Sequence, residues 1–274
     1  SGPMVLNVGG ADSNEVHLEV AYRLATNLHP VANPAIDSEG NIYVTLSGMR
    51  GQKVPVSVFR VCGAGSLTPF VSDIINPSGI VISRHGEVFI TNRHEGTVHK
   101  VSTMGNCMTF ATDLGVCSGL VFDSEENLYV GDREGSIYKL NPKGKKKLFT
   151  RLPPSVAAYH LAFGRDGFLY VTGPTLSGYD HVYKIDAFGN PDIFYSQLGR
   201  PQGFSFDSEG NLHLVCYYQG KGGIVKITPQ GEASHEVTGI NLVGLAFDGR
   251  GNMIINSMSS IYRLSLGIEG LPLP

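Results

Sequence analysis

Three arginines recur at one place in the rhythm of this sequence. Arg50 follows Leu46-Ser-Gly-Met, Arg93 follows Ile90-Thr-Asn and Arg133 follows Val130-Gly-Asp, each just past an apolar run. A guanidinium offers a planar fork of donors matched to a carboxylate or a phosphate. Convergence of these three, joined by Arg200, would hold an anionic group or stabilise developing negative charge. The other reading is local: Glu95, Asp132 and Glu134 stand beside Arg93 and Arg133 and are placed to pair with them and hold the loops.

A second set of candidates surrounds His160. Where related segments carry Gly79, Gly119, Gly203 and Gly244, this one carries an imidazole beside Tyr159. A side chain in place of a crowded glycine reads either as a group entering a central channel, to act as base or metal ligand, or as a hydrogen-bonded structural histidine. Cys117 lies at the equivalent entry of the preceding segment. A Cys117–His160 pair oriented by Asp132 or Asp180 would permit nucleophilic catalysis, whereas a buried thiol would be inert. Gln202, Tyr159, Tyr179 and Tyr217 add polar and aromatic walls suited to a small organic ligand. The long segments Ser47 to Pro55 and Gly173 to His181 are long enough to roof a pocket.

These residues are positioned by a phrase written six times: an apolar strand, a tight acidic or glycine turn, and a second apolar strand. The copies run Ala35 to Val44, Ile80 to Ile90, Leu120 to Val130, Leu161 to Val171, Phe204 to Leu214 and Leu245 to Ile255. They align Tyr43, Phe89, Tyr129, Tyr170, His213 and Ile254 at spacings of 40 to 46 residues, the period of propeller blades. A third strand with alternating character follows each copy, for example Val98 to Val101, and a fourth follows most, for example Leu148 to Leu152. Four antiparallel strands per repeat predict an all-β, six-bladed β-propeller. The sixth copy leaves too little chain for its outer strand. Val20 to Leu28 scans like the outer strands elsewhere and is expected to complete the last blade, closing the ring.

The 274 residues, 42% of them hydrophobic, suffice for one large core, so residues 17–274 are read as a single domain after an extension over 1–16. Ser1-Gly-Pro before Met4 has the look of a tag scar. A net charge of −3, with the basic residues dispersed, gives no electrostatic case for nucleic acid or an anionic membrane. No apolar stretch approaches the roughly 20 residues of a membrane helix. Four cysteines without C-x-x-C spacing fit free thiols in a reducing compartment, hence a cytoplasmic expectation.

Pro201-Gln-Gly-Phe-Ser-Phe-Asp-Ser-Glu-Gly-Asn-Leu212, with Cys117-Ser-Gly-Leu-Val-Phe-Asp123 and Asn127-Leu-Tyr-Val-Gly-Asp132, resembles the NHL-repeat and gluconolactonase-like (senescence-marker-protein) six-bladed propellers across residues 17–264. Val5 to Val20 also looks like the end of an immunoglobulin-like IPT/TIG module. The gluconolactonase-like resemblance implies a divalent cation, calcium or zinc, in the central channel. Asn33 matches that family's ligand pattern, and Asn92 and Asp132 stand in as further ligands. Ser78, Ser118, Tyr159, Gln202 and Val243 at the other entries depart from it, as does the lack of a first-blade glutamate. The expected function is hydrolysis of an ester, lactone or phosphoester at the channel mouth, with an anionic small molecule held by the arginines. The alternative is a non-catalytic module that binds a ligand or a protein. Oligomeric state is left open.

Overall fold

The computed structural model describes residues 2–5, 7, 8, 10–12, 16–18, 20–62 and 65–272. Six four-stranded antiparallel sheets follow one another around a ring, and each inner strand touches the inner strand of the next blade, the sixth returning to the first. Blade 1 comprises Ala35–Ile36, Ile42–Thr45, Val58–Val61 and Leu67–Val71, running from axis to rim. The inner strands of blades 2 to 6 are Pro77–Ile82, Cys117–Phe122, His160–Phe163, Phe204–Phe206 and Leu242–Phe247. In blades 2 to 6 the first and last residues of the repeated phrase are cross-strand partners, as in Ile80 with Ile90 and Leu120 with Val130.

The last blade is closed by the start of the chain. Tyr22–Thr26 pairs antiparallel with Ser260–Ser265, placing Thr26 opposite Ser260 and Tyr22 opposite Arg263. The C-terminal tail goes elsewhere: the Leu271 amide donates to the Phe206 carbonyl in blade 5, 2.9 Å away. Upstream of the ring, Gly2–Met4 pairs with Val16–Leu18 and Asn7–Val8 with Ala11–Asp12. Part of the segment read as the end of an immunoglobulin-like module, and Ser1 of the tag scar, lies outside the described residues.

The acidic turns of the phrase are structural. Asp37 accepts hydrogen bonds from the amides of Glu39 (3.0 Å) and Asn41 (2.8 Å), and the Asn41 side chain donates back to it at 2.9 Å. The same exchange recurs at Asp123 with Asn127, Asp207 with Asn211 and Asp248 with Asn252. The carboxylate replaces the ladder partners that the reversing backbone loses. Gly40, Gly210 and Gly251 turn the chain with φ between 80° and 88°; Glu126 adopts φ 63° at the same place in blade 3.

Packing between blades is aromatic. Phe89 meets Phe110 on the outer strand of its own blade and Phe122 on the next, edge to face, with ring centres 5.1 and 5.0 Å apart. Tyr129 and Tyr170 repeat the arrangement with Phe149 and Phe163, and with Phe194 and Phe206. Nearer the axis there is no room for side chains. A Cβ on Gly79 would lie 2.3 Å from the Ser118 carbonyl oxygen, and one on Gly119 would lie 2.3 Å from that of Tyr159. Asn33 holds the corresponding place in blade 1 because Gly203 and Gly244 leave space for it. Its amide donates to the Phe204 carbonyl (2.8 Å) and accepts from the Leu245 amide (3.2 Å), joining blades 5, 6 and 1.

Candidate functional site

Segments entering the inner strands and segments leaving the second strands meet at one mouth, where they enclose a cavity of about 460 Å³. Arg93, Arg133 and Arg200 line it, and no aspartate or glutamate does. Among the described residues, none of these arginines forms an ion pair. The expected local pairing with Glu95, Asp132 or Glu134 is therefore not what holds Arg93 and Arg133. Arg93 donates to the Ser47 hydroxyl at 3.0 Å, and Arg133 to the Val156 carbonyl at 2.6 Å. Burial, and then the like charges of Arg133 and Arg50, push the Arg93 pKa below the usual arginine range. Arg133 and Arg50 thus both bear on Arg93, although the exposed Arg50 does not line the cavity.

Arginine placement follows from the fold. Asn92 and Asp132 each close the turn that leaves the second strand: Asn92 Oδ1 accepts from the amides of His94 and Glu95, and Asp132 Oδ1 from those of Val116 and Glu134. The next residue in each turn is the arginine. With Asn92 Nδ2 also bound to Glu95, and with both polar atoms of the Asn33 side chain engaged, the three residues expected to hold a metal are occupied in binding backbone and loop. The described residues contain no cluster of three His, Cys, Asp or Glu with metal-binding geometry. A hard divalent cation needs several anionic or neutral oxygens. A cavity lined by three guanidiniums and no carboxylate does not fit it, and Asn33, Asn92 and Asp132, expected to hold calcium or zinc, do not line that cavity.

Of the catalytic residues expected from sequence, Cys117 and Asp132 are cross-strand partners, but they form no catalytic set with His160 and Asp180. His160 is buried and does not line the cavity; its Nε2 has no hydrogen-bond partner, and burial lowers its pKa to about 4. Cys117 does line the cavity, but its Sγ donates to the carbonyls of Asn92 (3.3 Å) and Thr97 (3.4 Å), and burial pushes its pKa up to about 12. That thiol is held protonated, so no Cys117–His160 nucleophile forms. Asp180 accepts from the Thr175 amide and hydroxyl within its own loop, and Tyr159 donates to the Pro153 carbonyl. Tyr179 is exposed on the long fourth-blade loop, away from the cavity; Gln202 and Tyr217 line it.

The walls also differ from expectation. Neither long loop lines the cavity. Its side is instead built by Val156 to Ala158 and by the blade 5 hairpin, where Leu212–Tyr218 and Lys221–Ile227 extend to a two-residue turn at Gln219 and Gly220. His29 also lines the cavity and was not anticipated, because it sits in the linker between the closing strand and blade 1, outside the repeated phrase. Its Nδ1–H donates to the Ser47 carbonyl at 2.6 Å, so Ser47 holds both this ring and Arg93.

Comparison with known proteins places this geometry. The chain superimposes on a gluconolactonase from Xanthomonas campestris with a TM-score of 0.73 and 16% identity, over 100% of this chain and 95% of that one. It shares the gluconolactonase-like propeller fold. The calcium-binding protein regucalcin from Agrobacterium tumefaciens gives a TM-score of 0.72 at 16% identity, covering 93% and 97%. Virginiamycin B lyase from Staphylococcus aureus gives 0.66 at 15%, covering 91% and 98%. No family model and no curated protein matches the sequence. At these identities the likeness establishes architecture, and function must be read from the site.

Proposed function

We propose that the mouth cavity binds a small organic anion. The observation that carries this reading is a cavity lined by three arginines and no carboxylate, with Arg93 half-buried beside like charges. Mutually repelling guanidiniums held by neutral partners gain most from an anion that neutralises them. Titration with short carboxylates and inorganic phosphate is expected to release heat and to raise the melting temperature with ligand concentration. Binding should weaken as salt rises and should be the same before and after treatment with a chelator that is then dialysed away. Failure of every such anion to bind at low ionic strength would overturn the reading.

A hydrolytic reading draws support from His29. With Nδ1 committed to Ser47, its Nε2 is the ring nitrogen left to accept a proton from water, while Arg93 and Arg133 face the negative charge that develops on an attacked ester or lactone carbonyl. Turnover of aryl esters bearing a carboxylate should fall about 100-fold or more in His29→Ala and be unchanged in His160→Gln. Equal loss in both variants, or turnover indifferent to His29, would leave binding as the sole role.

A further inference from the structure

The ring sets Arg93 and Arg133, with Val31 and Val116 beside them, opposite the wall that carries the cavity's leucine and methionine, Leu242 and Met258. Blade 2 faces blade 5 across the axis, and blade 3 faces blade 6. Arg93 and Arg133 leave blades 2 and 3, and Ser47 ties His29 to Arg93 on that same side. Across from them, blades 5 and 6 contribute Val215, Leu242, Val243 and Met258. Gln202 and Asn241 are the neutral polar residues there, and the backbone N–H of Gln202 donates to the Val215 carbonyl at 2.8 Å. Arg200 stands exposed at the seam of blades 4 and 5, on the rim.

Apolar surface continues outward on this side. Tyr217, Ile240 and Met258 remain 50%, 76% and 52% exposed around the opening. Gly222, Gly223 and Gly239 keep this wall thin, and Gly223 cannot carry a side chain, since a Cβ would lie 2.0 Å from the Val237 carbonyl oxygen. An inorganic anion would engage the arginines and leave this wall in contact with water.

Resting on the anion reading above, we infer that the ligand is amphipathic: a carboxylate or phosphate monoester head on Arg93 and Arg133, with an aliphatic or aromatic body across the axis against Val215, Leu242, Val243 and Met258. The cavity volume of about 460 Å³ accommodates a body of that kind. Burial of each methylene should tighten binding about fourfold until the apolar wall is covered.

Calorimetric titration with acetate, butyrate, hexanoate and octanoate, and with inorganic phosphate against octyl phosphate, tests the inference and separates the two head groups. Affinity is expected to climb with chain length in whichever series binds, with 1-octanol and octylamine at least 100-fold weaker than the matched anion. Leu242→Ser should flatten the climb, and an unaltered climb in that variant would overturn the placement of the body on this wall. A flat series in which short and long anions bind alike would overturn the amphipathic ligand and leave the anion reading standing. Binding by none of the anions would overturn both, and octylamine matching octanoate would remove the arginines as the head-group site.

Discussion

Arg133→Glu is expected to abolish anion binding while leaving the protein at least as heat-stable as the native chain. The wild-type mouth keeps Arg50, Arg93 and Arg133 close enough that the first and last depress the Arg93 pKa, after burial. Reversing the charge at 133 replaces one repulsion with an attraction and fills the anion subsite with a tethered carboxylate. Loss of a charged hydrogen-bonding partner typically costs 2–5 kcal/mol in binding, so a drop of at least about 100-fold in affinity for octanoate or phosphate is expected. The stability gain is small, because the pair is partly exposed and screened: about 1 kcal/mol or less, or at most a few degrees in Tm. Arg133→Lys provides the control. It keeps the charge but loses the fork, and should bind weakly without the stability gain. A glutamate variant that binds anions as the native chain does would remove Arg133 from the site.

How much of this was legible beforehand depended on the kind of signal. Blade number, strand pairing and closure by Tyr22–Thr26 were readable because the repeated phrase fixes hairpin geometry locally, and its Asp and Asn residues form the turn themselves. The outer strand of blade 5, Ala233–Thr238, was not assigned, since Ala-Ser-His-Glu-Val-Thr lacks the alternation of the other outer strands. The arginines were legible for the same reason as the hairpins. The turns after the second strands of blades 2 and 3 are built alike around Asn92 and Asp132, so the next residue, Arg93 or Arg133, lands in the same place in each.

Of the two readings of His160, the one that sends its side chain into the channel meets a geometric obstacle that Asn33 makes visible. A substituted glycine at the entry position suggests a side chain entering the channel. In fact a Cβ at these positions points at the neighbouring inner strand, as Gly79 and Gly119 show, and Asn33 reaches across Gly203 and Gly244 to seal blades together. Replacement of glycine there marks a local solution to packing near the axis. His29 was invisible because linkers between blades carry no periodic signal, and only the closed ring brings that linker to the mouth.

The departure with the largest consequence for stability lies away from the mouth. At the position of Phe89, Tyr129 and Tyr170, blade 5 carries His213; at the outer-strand bulge that elsewhere presents Phe110, Phe149 or Phe194, it carries Glu236. An aromatic pair has been exchanged for a hydrogen-bonded polar one. His213 is fully buried, with Nδ1 against Glu236, Nε2 against Asp207 at 2.9 Å, and its ring edge-on to Phe247 at 5.1 Å. His213→Ala leaves two carboxylates without their shared partner and should cost about 3–5 kcal/mol, read as a fall in the urea midpoint. The paired change His213→Phe with Glu236→Phe restores the aromatic contact of the other blades, while Asp207 keeps its bonds to Asn211, so this variant should recover most of the loss. The pH dependence has a defined sign. Burial pushes the Asp207 pKa up, but hydrogen bonds from His213 and Asn211 more than reverse this and leave it below the usual value. A depressed carboxylate stabilises the fold above its unfolded pKa, near 4, and that contribution fades as pH falls through the folded value. The native chain should therefore lose stability more steeply below about pH 4 than the paired phenylalanine variant. Parallel acid limbs in the two proteins would show that His213 contributes nothing to holding Asp207 ionised.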